Sequence, residues 1–257
     1  MKRVAWGVVV LVALALVTAH STLAQEFWEK KPYTQWNKEQ CKKVLENSPW
    51  ASHTGARDVQ NLAFSGGSTG GEESERRIDY YAQLRSALPV RQAVIRRAMI
   101  ENKYDKMSAE QKKAFDDSAA SFLDRQYPDV IVIAVEYSTN LEMYDRELAR
   151  YFQSVAPTAI PVNIYLTARN GIRIQPIKYE AQGGAGRSFQ IMFPRHVNGE
   201  PILGPGDTLR LEFPAPIFPD APAGAPSVGS GSRGLVERRA FFEFKADKMK
   251  YKGQLVF

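Results

Sequence analysis

The chain has 257 residues, of which 44% are hydrophobic and 24% charged, a composition typical of a globular protein with a sizeable core. Its net charge of +6 is mildly basic and its Lys and Arg residues are scattered, which argues against nucleic acid as a partner. The single cysteine, Cys41, excludes an internal disulfide, and the few histidines offer no zinc-ligand spacing. We therefore predict no metal, no cofactor and no nucleic-acid partner.

Residues 1–24 have the features of a secretory signal peptide. Lys2 and Arg3 precede an apolar run over residues 4–17, and Thr22 and Ala24 place small side chains before the expected cleavage point. The apolar run is shorter than the roughly 20 residues that a membrane span needs. We therefore predict that this segment is removed, that no transmembrane span is left after cleavage, and that the protein is exported, either periplasmic or secreted.

Four aromatic side chains follow the predicted cleavage site at short intervals: Trp28, Tyr33, Trp36 and Trp50. Such rings can form a surface on which a sugar stacks, because they bury a large area at low entropic cost. We therefore take these four residues as the candidate binding residues. The alternative is that they pack the first helix against a sheet, which the usual burial of Trp and Tyr favours.

The N-terminal half is predicted to be mainly helical. Asn37 and Gln40 have the spacing of a capping box for a helix over residues 38–46, and Ser108 and Gln111 repeat that spacing for a helix ending near residue 124. Pro89 suits the first turn of a further helix, which would run to about residue 104. Two short strands are also predicted, at residues 57–64 and at residues 78–86, where a helix is the alternative.

After Pro128 the apolar pattern changes to the period of two that is typical of strands. Asn170-Gly171, between residues 161–169 and 172–180, predicts a hairpin, and Pro176 predicts a bulge or an edge strand in its second arm. Further strands are predicted at residues 130–135, 188–193, 208–213, 240–245 and 254–257. Residues 214–234 are rich in Pro and Gly, which indicates a long loop that is functional or disordered.

Catalytic motifs are weak throughout the sequence. Cys41 with His53 or His196 could form a thiol–imidazole pair, but burial of Cys41 among apolar residues of its helix is the favoured interpretation. The Gly-rich residues 65–71 lack the Gly-Lys-Ser/Thr ending of a phosphate loop, and no helix is predicted after residues 182–186. The adjacent carboxylates at 72–73 and 116–117 do not establish a glycosidase pair, which depends on spatial separation. We therefore assign no catalytic residues, although a triad assembled from distant residues stays open.

Both ends of the chain carry short motifs of a known group. The segment from Trp28 through Lys31-Pro32-Tyr33-Thr34-Gln35-Trp36 to Ser48-Pro49-Trp50-Ala51 resembles the start of exported bacterial proteins that are loosely grouped with GWxTD-domain proteins. Lys248-Met249-Lys250-Tyr251-Lys252-Gly253 is similar to the ending of that group, whereas the GWxTD signature itself does not occur in this chain. The resemblance implies an exported protein and supplies no catalytic residues.

Taken together, the sequence predicts a single α+β domain over residues 25–257. Its helical half, residues 25–128, would pack on a C-terminal antiparallel β-sandwich formed by residues 129–257. The expected function is that of a non-enzymatic, envelope-associated binding or interaction protein whose partner is a protein or an anionic envelope polymer. A secreted or periplasmic hydrolase of a polymer or peptide is the alternative, and a structural component with a large apolar patch is a third possibility.

Overall fold

The structure, a computed structural model, describes residues 26–58, 76–140, 142–155, 163–168, 171–181, 186–217 and 236–257. The α-helices in these ranges are α1 (Phe27–Lys30), α2 (Lys38–Glu46), α3 (Leu88–Glu101), α4 (Ala109–Leu123) and α5 (Glu142–Val155). Short 3-10 helices cover Tyr33–Gln35, Tyr104–Lys106 and Ala246–Lys248. The strands are β1 (Ala51–Asp58), β2 (Arg76–Leu84), β3 (Val130–Thr139), β4 (Tyr165–Thr167), β5 (Arg173–Ile174), β6 (Lys178–Ala181), β7 (Ser188–Pro194), β8 (His196–Val197), β9 (Glu200–Pro201), β10 (Thr208–Ile217), β11 (Val236–Lys245), β12 (Lys250–Tyr251) and β13 (Gln254–Leu255).

Reciprocal capping fixes the start of two helices. The Asn37 side chain accepts a hydrogen bond from the Gln40 N–H at 2.8 Å, and the Gln40 side chain accepts one from the Asn37 N–H at 3.0 Å. Ser108 and Gln111 make the same exchange at the start of α4. Each box satisfies two main-chain donors that a helix end otherwise leaves free. Both predicted boxes are therefore confirmed, and so is the predicted helix over residues 38–46.

Two antiparallel sheets confirm the α+β class. The larger has the strand order β1-β2-β3-β7-β6, and the smaller has the order β11-β10-β4-β5. Apolar residues alternate with polar ones along β2, so that Tyr80, Ala82 and Leu84 are buried on one face of the larger sheet. The core on the Tyr80 face of the larger sheet includes rings from both sheets. The ring centroid of Phe213 in β10 lies 5.6 Å from that of Tyr80 and 5.4 Å from that of Phe189 in β7.

Helices lie on both faces of the larger sheet. α5 joins the ring core through Phe152, whose centroid is 4.4 Å from Phe189 and 5.1 Å from Tyr137. α2 packs against β1, β2 and α3. Because Asp79 and Tyr81 alternate with the buried residues of β2, they face away from the ring core, on the opposite side of the sheet. Two strands of this sheet, β1 and β2, come from the half of the chain that is predicted to be mainly helical.

Several boundaries differ from those predicted. The first strand begins at Ala51, six residues before the predicted start at residue 57, because its polar sequence carries no apolar alternation and its pairing with β2 defines it. The α5 helix is not among the predicted elements, although Leu148 and Phe152, one turn apart on one helix face, are buried in the core. β10 continues to Ile217, so the first four residues of the predicted 214–234 loop belong to a strand. β4 pairs with β10 only up to Glu212, and prolines are tolerated beyond that point because they are on an edge.

The predicted hairpin is present, and its second arm divides between the two sheets. β5 pairs with β4 through Leu166 and Ile174, at the edge of the smaller sheet, whereas β6 pairs with β7 at the edge of the larger one. Pro176 lies between β5 and β6, where its missing N–H costs no ladder bond. The edge position predicted around this proline is therefore confirmed.

Some predictions concern residues outside the described ranges. These are the signal peptide at residues 1–24, residues 59–64 of the first predicted strand, the Gly-rich segment at residues 65–71, the carboxylates at 72–73, residues 161–162 and 169–170 of the hairpin, most of residues 182–186 and the remainder of the 214–234 loop. Among the helices of the described ranges, none is both long and apolar enough to cross a membrane.

Candidate functional site

The structure places Cys41 in the core of the protein. Its side chain is 1% exposed, on the same helix face as Val44 and Leu45, and burial raises the pKa of the thiol to about 11. Within the described residues, no hydrogen bond joins the thiol to either imidazole. His53 is bonded elsewhere, and His196 is exposed on β8. The apolar interpretation of Cys41 is confirmed, and the thiol is in the wrong state for nucleophilic attack.

The candidate aromatic residues are packing residues for the most part. Trp36 and Trp50 are completely buried, Trp28 is 4% exposed, and Tyr33 is half-buried. Trp28 and Trp50 meet edge to face at 5.6 Å, and the Trp50 Nε1–H donates to the Val256 carbonyl at 2.7 Å. Three of the four rings thus have no free face for a sugar. The binding prediction needs correction here, because these rings join the N-terminal helices to the sheet.

A groove of about 780 Å³ lies beside this cluster, at the end of α2. Its walls come from α1, α2, β1, β2 and the end of β11. The ionisable and aromatic side chains of its lining are Glu26, Trp28, Lys43, Glu46, His53, Tyr81, Glu243, Lys245 and Lys248. Its size is in the range of about 300–1,000 Å³ that is common for ligand sites. We take this groove as the candidate functional site.

The pairing of β1 with β2 assembles one wall of the groove. His53 lies directly opposite Tyr81, and their rings stack with centroids 4.6 Å apart. Asp79 lies on the same face as Tyr81, and its carboxylate is 3.0 Å from the His53 Nε2. Arg77 holds that carboxylate from the other side at 2.8 Å. His53 is thus fixed in one orientation by a ring below it and a carboxylate at its edge.

The lack of a side chain at Gly55 in β1 leaves space for the Asp79 carboxylate. Gly55 is paired with Asp79 in the ladder. A Cβ atom at Gly55 would lie 3.2 Å from the Asp79 Oδ1, closer than an ordinary van der Waals contact. A side chain at this position would therefore displace the carboxylate that orients His53.

Glu46 is the last residue of α2 and lines the groove together with His53 and Tyr81. Burial raises the pKa of its carboxyl group, while the nearby charges of Lys42 and His53 oppose that shift. The negative end of the α2 dipole is also unfavourable for a carboxylate at this position. The groove therefore contains one histidine held by a carboxylate and one carboxyl group that takes up protons more readily than usual.

Behind Tyr81 lies a charge cluster that we call the Glu136 cluster, formed by Glu136, Arg85 and Arg97. Glu136 is opposite Tyr81 in the β2–β3 ladder and pairs with Arg85 at 2.8 Å and with Arg97 at 3.0 Å. Burial alone would raise the pKa of Glu136, but the hydrogen bond from Arg97 and the two positive charges lower it. One carboxylate thus balances two guanidinium groups, which leaves an excess positive charge behind the groove.

The β11 side of the groove carries lysines without partners. Lys43 is paired with Glu26 at 2.8 Å. In contrast, within the part of the chain that the structure describes, the side chains of Lys245 and Lys248 make no hydrogen bond and no ion pair, and the same holds for the Glu243 carboxylate on the same strand as Lys245. Both lysine side chains are exposed at the lining. Unpaired ammonium groups at a concave surface attract anionic ligands and lose little when they bind them.

No local motif in the sequence points to this site. The sequence pairs His53 only with Cys41, and Asp79 and Tyr81 belong to a segment that is predicted as a strand without a role. The alternation of Asp79 and Tyr81 with buried residues is the one pattern that places them on a common face. In the described ranges, no group of three or more His, Cys, Asp and Glu side chains is arranged to hold a metal ion.

Comparisons with protein-family models, curated proteins and solved structures gave no match for this chain.

Proposed function

We propose that the protein is an exported, non-enzymatic binding protein of the cell envelope, and that the groove binds an anionic envelope polymer. The observation that carries this proposal is the pair of unpartnered ammonium groups, Lys245 and Lys248, in the same groove as the His53–Tyr81 ring pair. Cations and rings together suit a polymer of charged sugars, since the cations attract its acidic groups and the rings contact its apolar faces. Export rests on the signal-peptide features of residues 1–24.

We also propose that the two antiparallel sheets are the layers of a sandwich. The contacts of Phe213 with Tyr80 and Phe189 support this arrangement, because each joins a ring of the smaller sheet to a ring of the larger one. The groove would then lie at one edge of the layers, where β1 approaches β11.

Binding to alginate, a carboxylated polysaccharide, tests the proposal, with neutral dextran of equal length as the control ligand. Each lysine contributes about 1 kcal/mol of electrostatic attraction to an anionic polymer. We therefore expect the double variant Lys245→Gln with Lys248→Gln to bind alginate about thirtyfold more weakly than the wild type. Lys103→Gln with Lys113→Gln removes the same charge from exposed sites outside the groove lining and should change the affinity less than about threefold. Equal binding of alginate and dextran, or equal losses in the two double variants, would contradict the proposal.

A hydrolase is the second candidate, and one observation favours it. His53, oriented by Asp79, shares the groove with Glu46, whose raised pKa suits a proton donor. In such an enzyme His53 would act as the general base and Glu46 as the general acid. Release of reducing ends from alginate by the wild type, abolished in His53→Ala and in Glu46→Gln, would replace the binding function with this one.

A further inference from the structure

One face of the smaller sheet, which we call the outer face, carries arginines and aromatic rings side by side. The ladder pairings place its side chains in two neighbouring rows: Arg173, Thr167, Arg210 and Glu243 in one, and Tyr165, Glu212 and Phe241 in the next. The alternate residues Leu166, Leu211 and Phe242 point the other way and are buried in the core. We infer that the outer face binds the surface of a bilayer that contains anionic phospholipids.

The first observation is that each ring of the outer face has a guanidinium over it. The Arg210 guanidinium lies 4.3 Å from the centroid of the Phe241 ring. The guanidinium groups of Arg173 and Arg239 lie 5.4 Å and 5.7 Å from the centroid of the Tyr165 ring. The attraction between cation and ring holds each guanidinium in place without using its N–H donors. Such donors suit a phosphate group, which a guanidinium binds in two parallel hydrogen bonds.

The second observation is the charge balance of the outer face. Arg239 is paired with Glu212. The side chains of Arg173 and Arg210 are exposed and make no hydrogen bond or ion pair among the described residues. Arg210 lies opposite Glu243 in the ladder without pairing with it. Two unpaired guanidinium groups therefore stand against a single unpaired carboxylate within the described part of this face, which makes it complementary to a negatively charged surface.

The third observation, the exposure of Phe241, favours a membrane over a soluble anion. This side chain is 41% exposed although it is apolar. At a bilayer surface, rings enter the boundary between headgroups and acyl chains while neighbouring cations contact the phosphates. The four strands of the sheet span about 14 Å at their usual spacing, so the outer face can contact several headgroups that a bilayer presents in one plane.

The outer face continues to the edge of the groove. Lys245 has the same orientation on β11 as Phe241 and Glu243, and it also lines the groove. A protein bound through the outer face would therefore hold the groove close to the membrane surface. The inference does not rest on the polymer proposed for the groove, because the contacts that carry it belong to β4, β5, β10 and β11 alone.

Co-sedimentation of the full chain with vesicles tests the inference. The vesicles contain equal parts of phosphatidylglycerol and phosphatidylcholine, and vesicles of phosphatidylcholine alone are the comparison. A basic residue near an anionic leaflet strengthens binding about fivefold, so Arg173→Gln with Arg210→Gln should weaken binding to the anionic vesicles about thirtyfold. Arg125→Gln with Arg146→Gln is the matched control, since both residues are exposed on other elements, and should change binding less than about threefold.

Quenching by brominated phosphatidylcholine shows whether the outer face itself touches the lipid. The indole of Phe241→Trp should be quenched in the anionic vesicles, whereas that of Tyr104→Trp, away from this face, should not. Any contribution of residues 1–24 is the same in every variant. The inference fails if neutral vesicles bind equally well, if the two double variants lose equal affinity, or if the two indoles are quenched alike. Loss of alginate binding in Arg173→Gln with Arg210→Gln, with vesicle binding unchanged, would assign the outer face to a polymer instead.

Discussion

Removing the charge of Glu136 tests whether the Glu136 cluster holds the sheet and the helices together. Glu136→Gln keeps the shape of the side chain but leaves Arg85 and Arg97 facing each other without an anion. The Arg85 side chain is 13% exposed and that of Glu136 is 27% exposed, so water replaces the lost partner only in part. Loss of one member of a buried ion pair costs about 3–5 kcal/mol, and the partial exposure of Arg97 reduces this to about 2–4 kcal/mol. For a chain of this size, that corresponds to a fall in Tm of about 6–12 °C.

Urea unfolding at several pH values measures how much Glu136 contributes to the free energy of unfolding and how that contribution changes with pH. Because the folded-state pKa of Glu136 lies below the ordinary value, its stabilising contribution is complete above the unfolded-state pKa and is lost as the pH falls through the folded-state pKa. The stability difference between wild type and Glu136→Gln should therefore be largest near neutral pH and shrink in acid.

Asp117→Asn is the matched control for Glu136→Gln, because it removes a carboxylate from an exposed ion pair with Lys113. An exposed pair of this kind contributes less than about 0.5 kcal/mol. If Glu136→Gln destabilises the protein no more than Asp117→Asn does, the argument from burial is refuted.

Three further predictions concern single positions. Trp50→Phe deprives the Val256 carbonyl of its 2.7 Å donor and should lower the free energy of unfolding by about 1–3 kcal/mol in urea titration; a change near zero would show that water replaces the bond. Cys41 should not react with a thiol reagent at neutral pH until the protein unfolds, because its pKa is about 11; fast labelling of the native protein would contradict its burial. Gly171→Ala should cost about 1 kcal/mol through its φ of +73° alone, since nothing lies within 4 Å of the new Cβ, and an unchanged Tm would contradict that reasoning.

Local chemistry was sufficient to predict several elements of the fold. Both capping boxes and the Asn170-Gly171 hairpin depend on residues a few positions apart, and the structure has them where the sequence predicts them. The α5 helix is absent from the prediction although Leu148, Tyr151 and Phe152 recur at helical spacing in its sequence. What local reasoning does not reach is how the helix is anchored, because Asp145 accepts hydrogen bonds from Thr139 of β3 and pairs with Arg187.

The candidate site could not be predicted from the sequence, because its residues are far apart in the chain. His53 and Asp79 are 26 positions apart, and they meet only because of one register of the β1–β2 pairing. A shift of that register by one residue would turn one of them to the other face of the sheet. The sequence did indicate that the aromatic segment is important, but Trp36 and Trp50 act by filling the core.

The polar face of the larger sheet joins the groove and the Glu136 cluster through one row of side chains. His53, Tyr81 and Glu136 lie side by side across β1, β2 and β3. Glu136 is among the charges that raise the pKa of Glu46, and His53 is among those that lower it, so the groove and the Glu136 cluster share one electrostatic field. A well-packed apolar cluster in place of Glu136 and its arginines could be as stable. The excess positive charge of this cluster beside Tyr81 would favour the anionic ligand proposed for the groove.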